Sequence, residues 1–152
     1  MRIPSPLWIR STRRLTVWGS SIFVAHAAIA AAQQIDCPAA IPAASIKVIG
    51  VPAEWQPDVT KPLYLHAAAP IDGPPGKFGE LAEFTTHRGK MEWSYTYPLE
   101  GNFPDGKWMQ CAYGAMNEVT LSKKIDDSVT KCKLTYRKGK NPAQHEIQIL
   151  CQ

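Results

Sequence analysis

From Cys132 to Tyr136 every second residue is apolar or a cysteine, and the same pattern runs from Ile147 to Cys151. If Cys132 faces Cys151 in an antiparallel hairpin, Leu134 faces Ile149 and Tyr136 faces Ile147, all six on one face. Lys131, Lys133, Thr135 and Arg137 then point to the opposite face, and Lys138-Gly139-Lys140-Asn141-Pro142-Ala143 closes the turn. A slip of one residue would break the disulfide and turn the apolar face to water together. This register pairs Cys132 with Cys151 and leaves Cys37 with Cys111, one of the three connectivities that four cysteines allow. The Cys37–Cys111 bond closes a loop of roughly 75 residues, worth about 4 kcal/mol in the chain-entropy treatment.

Alternation continues upstream. Met91, Trp93, Tyr95 and Tyr97 share one face of a strand, with Glu92, Ser94 and Thr96 on the other. Further strands are expected over Lys107–Gly114, Glu118–Lys123, Val129–Arg137 and Glu146–Cys151, separated by turns at Asn117 and Asp126-Asp127. A Gly/Asn/Pro/Asp loop runs from Pro98 to Gly106. The preceding half is punctuated by Pro38, Pro42, Pro52, Pro57, Pro62, Pro70, Pro74 and Pro75, a spacing no long helix can cross. Short strands are expected at Ser45–Val51 and Leu63–Ala67, a turn at Asp72-Gly73-Pro74-Pro75-Gly76, and a strand or one short helix over Phe78–Thr85. The expected fold is mainly β: a single antiparallel domain over residues 33–152, meander or sandwich-like, with two disulfides and an irregular, Pro-rich N-terminal half.

Residues 1–32 have a different character. Arg2, Arg10, Arg13 and Arg14 precede an apolar run from Leu15 to Ile29, and Ala30-Ala31-Ala32 ends it with small residues. This order predicts a secretory signal peptide removed after Ala32, and hence a periplasmic or secreted product in which cysteines pair. The chain has 17 Lys/Arg against 13 Asp/Glu, a formal charge of +4. Its four leader arginines account for the whole excess, so residues 33–152 are neutral and no nucleic-acid partner is expected. The remaining charge is polarised. Residues 33–118 carry a net −4, whereas 119–152 carry +4 through Lys123, Lys124, Lys131, Lys133, Arg137, Lys138 and Lys140. No later segment approaches the ~18–20 apolar residues that cross a bilayer.

No motif assigns chemistry. The cysteines lack C-x-x-C and zinc-ligand spacing, and His145-Glu146 lacks the second half of a metalloprotease helix. Glu80 and Glu83 form an unremarkable acidic pair, and no cofactor or metal is expected. An enzyme would require His66 or His87 to meet an acid or serine in space. The aromatic set Trp93, Tyr95, Tyr97, Trp108 and Tyr113 belongs either to a sheet core or to an exposed stacking surface.

Cys37-Pro38, Asp72-Gly73-Pro74-Pro75, Trp108-Met109-Gln110-Cys111-Ala112-Tyr113 and Val129-Thr130-Lys131-Cys132 together resemble an uncharacterised family of small secreted four-cysteine proteins from Gram-negative proteobacteria. At Leu81-Ala82-Glu83 the chain departs from that family, where a proline would follow the leucine. The resemblance implies export and the cysteine pattern, and brings no assigned activity, catalytic residue or ligand. The sequence is therefore read as an exported, non-enzymatic binding protein, in its sharper form an inhibitor or immunity-type protein acting on a cell-wall hydrolase or secreted toxin. The candidate partner-binding residues are Phe103 and Asp105 in the Pro98–Lys107 loop, and Lys131, Lys133, Arg137, Lys138 and Lys140 in the basic hairpin. The alternative is a carbohydrate- or envelope-binding module using exposed Trp and Tyr. Ring exposure separates the two.

Overall fold

The structure, a computed structural model, describes residues 32–152; the expected signal peptide lies almost wholly outside the described residues. Two antiparallel sheets make up the fold. The first has the order β1 (Gln33–Ile35), β10 (His145–Cys151), β9 (Lys131–Lys138), β6 (Glu92–Pro98), β5 (Thr85–Arg88). The second runs β2 (Ala40–Ile41), β3 (Leu63–Asp72), β7 (Lys107–Tyr113), β8 (Val119–Lys124), with β4 (Gly79–Glu80) against the far end of β3. Consecutive strands repeatedly change sheet, so the connections are those of a sandwich rather than of one continuous meander. Both expected disulfides are present, Cys37–Cys111 and Cys132–Cys151.

The β9–β10 hairpin has the register its apolar pattern demands: Cys132 faces Cys151, Leu134 faces Ile149 and Tyr136 faces Ile147. Cys132, Leu134, Ile149 and Cys151 are completely buried, joined by Leu99 just after β6 and by Met109 from the second sheet. Elsewhere the irregular half departs from expectation. No strand forms over Ser45–Val51; a 3-10 turn at Ala43–Ser45 is followed by chain without regular structure up to β3. The expected strand from Leu63 runs on to Asp72, through Pro70. Pro70 shares Ala68's parity, and Ala68 directs its main-chain groups away from β7, so the missing N–H of Pro70 breaks no ladder bond. Phe78–Thr85 divides into β4 and the first residue of β5. Met91, expected beside Trp93, lies outside β6 and is exposed.

β3 is paired by β2 at Leu63–Tyr64 and by β4 at Ile71–Asp72, which leaves the edge between them without a strand neighbour. The first sheet supplies the missing partners there. The Tyr136 hydroxyl donates to the Ala68 carbonyl (2.5 Å) and accepts from the Ala68 amide (3.1 Å). His66 occupies the bulge between Leu65 and Ala67. Its carbonyl accepts from His145 Nδ1 (2.5 Å), and its own Nδ1 donates to the Ala143 carbonyl (2.7 Å). Trp93 stacks on the Tyr136 ring at 5.4 Å, and Tyr95 meets it edge-on at the same distance.

Burial pushes the Tyr136 hydroxyl pKa from 10.0 up to about 12, with the Ala68 bond opposing the shift. Tyr97 and Tyr113 are raised as well, chiefly by burial. A proton held more tightly in the folded than in the unfolded chain stabilises the fold below pH ~10 and is lost as pH climbs towards 12, about 2–3 kcal/mol for Tyr136. Two outcomes are expected from denaturant unfolding. Tyr136→Phe costs about 1–3 kcal/mol at neutral pH, because both Ala68 groups lose their partner. Between pH 10 and 12 the variant's stability also falls less steeply than that of the wild type.

Candidate protein-binding surface

On β9 the side chains alternate between core and solvent, which places Lys131, Lys133, Thr135 and Arg137 on the outer face of the five-stranded sheet. β9 is flanked there by β6 and β10. Pro98, Thr96, Ser94 and Glu92 lie opposite these four residues on β6, and Leu150, Gln148 and Glu146 lie opposite the last three on β10. The two ends of the face differ electrically. Arg137 is held through Nη2 (2.8 Å) and Nε (3.0 Å) by a single Glu92 oxygen, with Glu146 across the opposite strand pair. Lys131 and Lys133 form no ion pair with any carboxylate among the described residues, and the neighbouring side chains of Thr96, Leu150 and Gln152 are uncharged. These residues line a shallow depression of about 270 Å³. Its lining brings the exposed Leu150 together with Lys131 and Lys133.

Lys138 and Lys140 lie at the hairpin tip, on the rim of a second hollow bordered by Trp93 and His145. They extend the positive character of β9 but belong to the end of the sheet rather than to its face. The loop residues are placed otherwise. Leu99 is buried, and its amide donates to the Thr130 carbonyl (2.7 Å). Phe103 packs against the core with the Lys107 ammonium 5.2 Å from its ring centroid. Lys107 is itself buried and donates to the carbonyls of Asp127 (2.8 Å) and Val129 (2.5 Å). Asp105 forms an ion pair with Lys77, and its carbonyl accepts from the Trp108 indole (3.3 Å). The sequence thus singled out two groups that the fold does not merge: a basic face and tip on β9–β10, and a loop tied to the core. The loop leaves the face at Pro98, the end of β6, opposite Lys131.

The aromatic set distributes as a core. Tyr97 and Tyr113 are buried, Trp93, Tyr95 and Trp108 are half-buried, and no planar exposed row forms. Phe78 (87% accessible) and Phe84 (47%) are exposed outside that set, as is Trp55 (72%), which lies in the irregular stretch before β3 with exposed Ile49 and Val48. Sequence reasoning missed it because a proline-flanked segment has no periodicity to read. His66 meets His145, with ring centroids 5.0 Å apart, while His87 sits on edge strand β5. Among the described residues no cluster of three or more His, Cys, Asp or Glu could hold a metal.

Two substitutions separate the loop's structural part from any contact role. Phe103→Ala is expected to cost about 1–3 kcal/mol through lost packing, whereas Asp105→Ala, which breaks an exposed ion pair, should change stability by at most about 1 kcal/mol. Thermal unfolding of the two variants checks both values.

Comparison with known families adds one finding. A family model described as "Type VI secretion system Tli immunity protein" matches residues 60–152, which covers β3 through β10. No curated protein and no solved structure matches the chain at a significant level. The match supplies a functional description where the motif resemblance implied none.

Proposed function

The chain belongs to the Tli immunity protein family of the type VI secretion system, and from that premise we propose how and where it meets its partner. It is an immunity-type protein that binds a secreted toxin. It acts in the periplasm, after removal of residues 1–32. Two disulfides support an oxidising compartment, and among the described residues no helix is long and apolar enough to cross a membrane. It neutralises by occupying the toxin, not by chemistry on it. The contact surface is the outer face of the five-stranded sheet, centred on Lys131 and Lys133, with Lys138 and Lys140 steering approach at the hairpin tip. The observation that carries this assignment is the pair of lysines without carboxylate partners on an open sheet face beside Leu150. An acidic surface on the toxin would complement it, and such charges act mainly on association rate and partner choice.

Packing of the aromatic set into the core favours this reading over a sugar-stacking module, which needs rings in a plane at the surface. The test is capture with the oxidised protein from periplasmic and culture fractions, followed by growth of toxin-exposed cells with and without the protein. The expected outcome is one stoichiometric secreted toxin and restored growth. Repeated capture without a toxin, together with unprotected cells, would overturn the immunity mechanism. K131E/K133E is expected to weaken toxin binding at least tenfold and to flatten its salt dependence. Unchanged affinity in that variant would move the contact elsewhere and leave the immunity role intact.

A further inference from the structure

β8 is the longest strand left open on one side among the described residues; the other sheet-edge strands, β1, β2, β4 and β5, have two to four residues. Its six residues pair β7 in unbroken register, with neither bulge nor proline. The register also shows which main-chain groups remain free. Ala68 gives its amide and carbonyl to Tyr136, so its cross-strand partner Cys111 turns the corresponding groups towards β8. Leu121, opposite Cys111, is therefore bonded to β7, and residues of alternate parity point away. The Ile125 amide donating to the Lys107 carbonyl (2.9 Å) has the same parity as Leu121 and agrees. Thr120, Ser122 and Lys124 thus direct their N–H and C=O groups off the open edge, and Leu121 beside them is 43% exposed.

We propose that a second copy of this chain occupies that edge, the two β8 strands pairing antiparallel about a two-fold axis at Leu121. The two edges complement each other. In this register Leu121 faces Leu121 of the second copy, Thr120 faces its Ser122, Val119 faces its Lys123, and Glu118 faces its Lys124. The exposed leucine is covered, and each Lys124 gains a carboxylate beyond its 3.5 Å contact with Asp127. Moving the axis one residue to Ser122 would set Leu121 against Lys123 and Glu118 against Asp126, acid on acid. The four-stranded sheets then join into one continuous sheet, and both five-stranded faces with Lys131 and Lys133 remain free. The proposal therefore does not depend on where the toxin binds.

A contact of one strand pair lies at the small end of interface sizes, so a dimer with a Kd on the order of 10–100 µM is expected. Sedimentation equilibrium of the protein recovered from the periplasm should show the mass of two copies at the upper end of that range. Leu121→Glu, which brings two carboxylates together at the axis, should return one copy. Leu121→Cys should crosslink to a dimer under mild oxidation, as Cys132 and Cys151 do across a strand pair with Cα atoms 4.1 Å apart. Thr120→Cys, which faces Ser122 of the second copy, should not. A single-copy mass up to about 1 mM, a dimer unaffected by Leu121→Glu, or equal crosslinking by the two cysteine variants would each overturn the proposal.

Discussion

One phenolic hydroxyl joins the two layers of this molecule. Tyr136 leaves β9 in the first sheet and satisfies both main-chain groups of Ala68 in the second, at the one stretch of β3 where neither β2 nor β4 is available. A buried amide and carbonyl without partners would each carry a desolvation cost of about 1–3 kcal/mol, so the edge of β3 could not rest there on an apolar side chain. The neighbouring bonds among His145, His66 and Ala143 extend the same seal along the bulge. The aromatic rings around Tyr136 hold its hydroxyl in place, which is why Trp93 and Tyr95 are packed inward and unavailable as a sugar platform.

How much of this could be read beforehand follows from where periodicity exists. The β9–β10 hairpin was legible in full, because a disulfide and an apolar face each demand the same register, and pairing Cys37 with Cys111 followed by elimination. The inter-sheet bond was not legible. Nothing in the alternation around Tyr136 distinguishes a tyrosine that fills a core from one whose hydroxyl finds a strand edge. The irregular stretch before β3 was misread at Ser45–Val51, since β-branched residues between prolines carry strand propensity without a neighbour to pair with. Composition marked Pro98–Lys107 as a loop and could not show how it is held. Leu99, Phe103 and a buried Lys107 ammonium anchor it.

Charge and aromatic content are sorted differently by the fold. The excess of lysine after residue 118 is a property of the sequence, but only the strand's period of two sorts Lys131, Lys133 and Arg137 onto one face, and only the neighbouring strand distinguishes Arg137, neutralised by Glu92, from two lysines that are not. The family match spans that whole face apart from β1, and begins after the segment that exposes Trp55 and Ile49. Exposed apolar side chains lie on both sides of that boundary, Ile49 and Trp55 before it and Phe78, Met91 and Met116 after it.

The outermost strand of the five-stranded sheet is β1, and it is seated on β10, with Gln33 opposite Cys151. Residues 33–35 therefore have nowhere to dock until nearly the last residues of the chain have been made. A chain built in this way cannot become partly functional as it is made, since its central hairpin, its second disulfide and the berth for its own beginning all arrive together. Such an antidote is complete only once its last strand is in place.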